Sequence, residues 1–180
     1  MLPPDLIGPE KAVYYADEAM DFYIDARQRY PDLDKDFILD CCVHHPSRFC
    51  DLLPNLDLAI HQPVRREVSA SWIAQAVRYD DNERLDSSLF YSSDVEDYLE
   101  QGRSRGGWLL SQMLEQATWP HAPIIVASAF ASNELHITLP IGPHYHLMEG
   151  CRRVSFLLGM LRTGLISPES KHEVVELTFR

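Results

Sequence analysis

Most of the reactive chemistry in this sequence lies between His144 and Arg153, where His144-Tyr145-His146-Leu147-Met148 and Glu149 run into Gly150-Cys151-Arg152-Arg153. The first residues alternate as a strand does, and Val154, Leu157, Leu158 and Leu161 recur at helix spacing, so Gly150 is expected at a strand-to-helix turn. A helix begins with N–H groups that have no partner inside it, and anions bind there. Gly150 lets the backbone approach a ligand closely, while Arg152 and Arg153 offer planar, permanently charged donors. The expectation is a phosphate or nucleotide site formed by Gly150, Cys151, Arg152 and Arg153. Glu149 would repel a phosphate and is expected to turn away and pair with an arginine. His144 and His146, on one strand face near the turn, are placed to assist a ligand. Cys151 is the candidate nucleophile, because a helix N-terminus and two arginines favour its thiolate.

Cys41, Cys42, His44, His45 and Cys50 contain the ligand types that zinc takes, but not its spacing. Structural zinc sites pair ligands on a knuckle and pair them again farther along, whereas Cys41, Cys42 and His45 fall on one face of an expected helix. Core packing is the expectation there, and no metal. Gly-x-Ser-x-Gly, Gly-x-x-x-x-Gly-Lys and Gly-x-Gly-x-x-Gly are all absent. The stretch from Gly102 to Gly107, with Arg103 and Arg105, is expected to join two halves of the chain.

Those halves differ in period. In the first, Val13, Ala16, Met20 and Tyr23 mark a helix that opens at Gly8-Pro9-Glu10 and ends before Pro31. Asp34 to His45 and Ser69 to Tyr79 carry the same spacing. In the second, a helix from Gly107 to Ala117 precedes strands at Pro123–Ala127, Leu135–Leu139 and His144–Met148, then a helix from Cys151 to Leu161 and a last strand at Val174–Leu177. The fold class is α+β: a mainly helical acidic part over residues 1–106, and a small mixed sheet with packed helices over 107–180, in one compact unit.

Residues 107–180 resemble the fold shared by ParB-type partition proteins and sulfiredoxins. The likeness rests on a helix, a Pro123-Ile124-Ile125-Val126 strand, and a strand running into a Gly-x-x-Arg turn and helix. Against the ParB pattern Gly-Glu-Arg-Arg, Gly150, Arg152 and Arg153 match and Cys151 replaces the acid. Against the sulfiredoxin pattern Gly-Cys-His-Arg, Gly150, Cys151 and Arg153 match and Arg152 replaces the histidine. The resemblance implies a nucleotide-phosphate site at this turn. It leaves residues 1–106 unaccounted for, and the second ParB motif and a following helix-turn-helix are absent, so DNA partition is not implied.

Composition narrows the function classes. The 180 residues are 46% hydrophobic, enough for one sizeable core, and contain no run near the roughly 18 apolar residues of a membrane span. Met1-Leu2-Pro3-Pro4-Asp5 lacks the basic start of a signal peptide, so a cytoplasmic location is expected. With 16 Lys+Arg against 27 Asp+Glu the net charge is −11, which argues against direct binding of DNA by its backbone. Residues 1–100 hold 21 acidic and 9 basic side chains, and the remainder 6 and 7. Three functions are therefore expected as candidates. One is a phosphate- or nucleotide-binding regulatory domain without turnover, its only cofactor the nucleotide. Another is an immunity or antitoxin-type protein whose acidic half, with Asp80, Asp81 and Glu83 as partner-binding residues, neutralises a basic toxin such as a nuclease. The third is a thiol enzyme acting through Cys151.

Overall fold

The computed structural model describes residues 4–6, 17–44, 56–79, 83–84, 93–102, 107–130 and 144–180. After a 3-10 turn at Pro4–Leu6, helix α1 spans Asp17–Arg29 and buries Ala19 and Ala26, seven residues apart on one face. Asp34 caps the next helix, accepting the N–H groups of Asp36 (2.8 Å) and Phe37 (3.2 Å). That helix is α-helical only over Lys35–Phe37 (α2) and continues as a π-helix over Ile38–His44. Strand β1 (His61–Ser69) leads into α3 (Ala70–Ala76), where the Ser69 hydroxyl accepts the Trp72 N–H at 3.1 Å. The short strands β2 (Val77–Tyr79) and β3 (Glu83–Arg84) follow, then α4 (Ser93–Gln101) and α5 (Gly107–Gln116). Strands β4 (Ile124–Ala127) and β5 (Tyr145–Glu149) precede α6 (Cys151–Arg162) and β6 (Lys171–Phe179).

The six strands form one mixed sheet in the order β1-β6-β4-β5-β2-β3. β1 runs antiparallel to β6 through nine residue pairs, from His61 against Phe179 to Ser69 against Lys171. β6 is parallel to β4, β4 antiparallel to β5, and β5 parallel to β2. Because successive strand residues face opposite sides, β4 sends Ile124 and Val126 to one core and Ile125 to the other, and β6 divides Val175 and Val174 likewise. The first core packs Phe37, Ile38 and Cys41 of the α2 and π segment on one side of the sheet. The second packs Ile73, Leu110, Met113, Phe156 and Leu157 of α3, α5 and α6 on the other. Burying each of these larger side chains stabilises the fold by about 1.5–3 kcal/mol.

The α+β class expected from the sequence is the observed one, and three corrections accompany it. Residues 1–106, helical over most of their described length, are not set beside the sheet but take part in it. They supply β1, β2 and β3, and β1 pairs with the last strand, so the two halves share one sheet and its cores. Ser69 to Tyr79 is a helix only as far as Ala76, after which the β-branched Val77 takes extended backbone (φ −88, ψ 141) and pairs with Tyr145. Residues 34–45 form one helical element as far as His44, but most of it is π. The expected strand Leu135–Leu139, the start of the first helix at Gly8-Pro9-Glu10, His45, Cys50, Asp80, Asp81, Arg103 and Arg105 lie outside the described residues.

Candidate functional site

β5 delivers Met148 and Glu149 to the turn, Gly150 makes it, and α6 leaves it, as the residue pattern required. Gly150 has φ 101 and ψ 23, a left-handed conformation open to glycine and costly for other residues. A Cβ there would lie 2.6 Å from Pro123 Cβ and 3.1 Å from Arg153 Nε. Pro123 and Arg153 therefore pack against the face of Gly150 that a side chain would occupy. Its N–H donates to Glu149 Oε1 at 2.9 Å. Glu149 thus folds back onto the turn instead of pointing away, and its carboxylate stands 4.0 Å from the Arg153 guanidinium.

Arg153 points inward, not toward a ligand. Its side chain is 8% exposed and donates from Nη2 to Asp40 Oδ2 at 2.6 Å and from Nη1 to the His121 carbonyl at 3.1 Å. Asp40 sits on the π-helix with its carboxylate 3.6 Å from His44 Nδ1. Burial opposes its ionisation, but the charge and hydrogen bond of Arg153, with His44 nearby, prevail and hold its carboxyl below the ordinary value. The neighbouring Cys41 thiol is pushed well up, first by burial and then by the surrounding Cys42, Asp40 and Glu149. Arg152 is exposed on the first turn of α6. Cys151 is half-buried and packs against the second core, on the side away from Arg153. His146 and Tyr145 are half-buried on β5, and His144 precedes the strand, its carbonyl accepting the Ser128 N–H at 2.9 Å.

A second polar node, built on Asp36, adjoins the first through His121. Asp36 is buried and accepts the Ala122 N–H at 2.8 Å, Arg65 Nη2 at 2.8 Å and His121 Nδ1 at 3.3 Å. Arg65 on β1 also reaches Asp34 at 3.0 Å and Glu173 on β6 at 2.8 Å. Burial works against the Asp36 carboxylate, yet these donors outweigh it and keep its pKa far below the usual range. Beside this node is a recess of about 250 Å³ lined by Lys35, Arg65, Glu67, Trp119, Lys171 and Glu173, in which the two charge signs are mixed.

The structure thus brings Glu149, Gly150 and Arg153 together, with Cys151 and Arg152 on the following turn facing other ways. Asp36, Asp40, Arg65 and His121, which complete the polar layer, were not singled out by sequence. Their available signal was the placement of Asp36 and Asp40 on the same helix face as Phe37 and Cys41, since an acid on a buried face requires a cation opposite it. Cys41 and Cys42 are core residues, and among the described residues no three His, Cys, Asp or Glu side chains are grouped to hold a metal ion. No described helix is long and apolar enough to cross a membrane. Compared with family models, with curated proteins and with solved structures, the chain matches none of them.

Proposed function

We propose that this chain is a non-catalytic binding protein of the immunity or antitoxin type, which presents its excess acid to a basic protein partner. The carrying observation is how its charges are matched. Arg29 pairs with Asp5 and Asp25, Arg65 with Asp34, Asp36 and Glu173, Arg66 with Glu176, Arg153 with Asp40, and Arg162 with Glu96. Asp21, Asp32, Glu67, Glu100, Glu115 and Glu169 are exposed and make no ion pair among the described residues. Arg153 of the turn is engaged within the fold, and the exposed acid left over exceeds the exposed base that likewise makes no ion pair among the described residues, Arg27, Lys35, Lys171 and Arg180. Such a surface steers a cationic partner and rejects nucleic acid.

The test is capture of the partner from an extract of the source cells, followed by binding kinetics with the purified pair. Its association rate constant is expected to fall tenfold or more between about 50 and 500 mM salt, with a smaller change in dissociation. Charge reversal at Asp80, Asp81 and Glu83 lowers the same rate. An association rate indifferent to salt overturns the reading.

One observation favours a second reading, phosphate or nucleotide binding at the Gly150 turn. The turn stands at a strand-to-helix junction with Arg152 exposed beside it, as the resemblance to ParB-type and sulfiredoxin proteins implies. Calorimetric titration with ATP, CTP and inorganic phosphate decides it. Saturable binding that Arg152→Ala weakens tenfold supports this second reading, and no heat excludes it.

A further inference from the structure

Among the described residues the sheet ends on β1, and the register of that strand fixes which of its backbone groups face outward. Ile60 accepts the N–H of Arg180 at 2.9 Å, and Ala70 donates to Ser170 at 3.0 Å. Even-numbered residues of the strand therefore bond inward to β6, while His61, Pro63, Arg65, Glu67 and Ser69 direct their backbone groups away from the sheet. The two ends are already engaged. The His61 N–H bonds the Asp57 carbonyl at 2.8 Å, and Ser69, as the cap of α3, gives its carbonyl to that helix. Pro63 has no N–H. What remains is the Pro63 carbonyl, both groups of Arg65 and of Glu67, and the Ser69 N–H, none of them bonded by a described residue.

We propose that β1 pairs with β1 of a second copy of this chain, antiparallel and centred on Arg66, joining two six-stranded sheets into one. In this register Arg65 faces Glu67 of the second copy, and Pro63 faces its Ser69. Donors and acceptors then match one for one. Arg65 and Glu67 exchange N–H···O=C bonds in both directions, and the Ser69 N–H meets the Pro63 carbonyl. The donor that the strand lacks, at Pro63, falls opposite the acceptor already engaged, at Ser69. Moving the centre one residue destroys the match. Centred on Arg65, the pairing sets arginine against arginine and leaves the Glu67 carbonyl opposite Pro63 with no donor. Centred on Glu67, it sets glutamate against glutamate and aims the Arg65 N–H at the engaged carbonyl of Ser69.

The side chains favour the same register. Within one copy Glu67 lies directly opposite Glu173, a like-charge pair that costs stability, and Arg65 contacts only Glu173 of the two. The second copy brings its own Arg65 to Glu67. On the other face Val64, 38% exposed, comes opposite Val68 of the second copy, which is already buried in its own core. Arg66 would face itself on the axis, but its guanidinium leans inward over Trp72 (4.9 Å) and Tyr145 (5.6 Å) and onto Glu176, away from its counterpart. The contact uses the same strand on both copies, so it closes at two. This pairing is independent of the charged partner proposed above.

Sedimentation and amide hydrogen exchange of the full chain, from about 1 to 200 μM, test it on the scale of ordinary transient interfaces. The expected result is a monomer–dimer equilibrium in which the amides of Arg65, Glu67 and Ser69 gain protection as the dimer forms. Glu67→Pro removes an N–H that no described residue of the same copy bonds, and Glu67→Arg sets like charges opposite each other. Each is expected to weaken the dimer tenfold or more. In Arg66→Cys the axial pair is of the non-hydrogen-bonded kind, with Cα atoms about 4.5 Å apart and within disulfide reach, so oxidation yields a 66-to-66 cross-link. A wild-type chain that stays monomeric throughout, or a dimer whose three amides exchange at the monomer rate, overturns the proposal however the variants fold. A dimer that Arg66→Cys does not cross-link overturns the register.

Discussion

Arg153→Met isolates what the buried arginine contributes. The side chain lies 2.6 Å from Asp40, the pair being 8% and 2% exposed, and it also donates to the His121 carbonyl at 3.1 Å. Methionine is unbranched and adaptable, so the change leaves little void and the loss is electrostatic. A carboxylate then remains in the interior with His44 3.6 Å away and no arginine. Breaking one side of a buried pair costs about 3–5 kcal/mol, which in a chain of this size lowers Tm by roughly 6–20 °C. The pH dependence supplies the sign. In the parent, the Asp40 carboxyl is held down on folding, so its contribution is fully present above the unfolded value of about 3.9 and is lost as pH falls through the folded one. In Arg153→Met burial prevails, and folded Asp40 binds its proton more tightly than the unfolded chain does. The variant's deficit is then largest at neutral pH and shrinks toward about pH 4. Urea unfolding followed by tryptophan fluorescence near pH 7.5 and near pH 4.5 measures both ends. Adding Asp40→Leu to Arg153→Met should recover most of the loss, because the uncompensated charge goes with it. A deficit under about 1 kcal/mol, or one equal at both pH values, refutes the structural role and returns the guanidinium to ligand binding.

Two further outcomes are expected. Gly150→Ala combines a positive φ with a Cβ 2.6 Å from Pro123, and should destabilise by about 2 kcal/mol or more in thermal melts; a loss within about 0.5 kcal/mol contradicts the packing at the turn. In native-state alkylation with peptide mapping, half-buried Cys151 should be modified well before Cys41, which is buried with its thiol pushed up, and the reverse order contradicts the placement of the π-helix.

The elements that position the turn were legible because their patterns are local. The apolar run from Ile124, the alternation around His146 and the spacing of Val154, Leu157 and Leu158 each read correctly, and Gly150 stood where strand gave way to helix. β1 was not legible. His61-Gln62-Pro63-Val64-Arg65-Arg66-Glu67 has little apolar alternation, because it is an edge strand whose arginines are half-buried by ion pairs formed with residues far along the chain. The direction of Arg153 was hidden for the same reason. Whether an arginine after a glycine turn faces a ligand or the interior depends on what lies opposite, and Asp40 is more than a hundred residues away in sequence. The π-helix was misread as an ordinary helix because Phe37, Ile38, Cys41 and Cys42 satisfy either spacing.

The pairing of β1 with β6 also sets a timetable for synthesis. About 100 residues separate Ser69 from Lys171, so at roughly 5–20 residues per second a ribosome needs on the order of 5–20 s to make the neighbour of β1 after β1 itself has emerged. During that interval the strand has two open edges, the state in which nascent chains aggregate. Pro63, Arg65, Arg66 and Glu67 make it a poor template for indiscriminate pairing while it waits. A message truncated after α6 would leave β4 with β5 alone and β1 with no neighbour among the described strands, so the last nine-residue strand decides whether β1 joins the sheet at all.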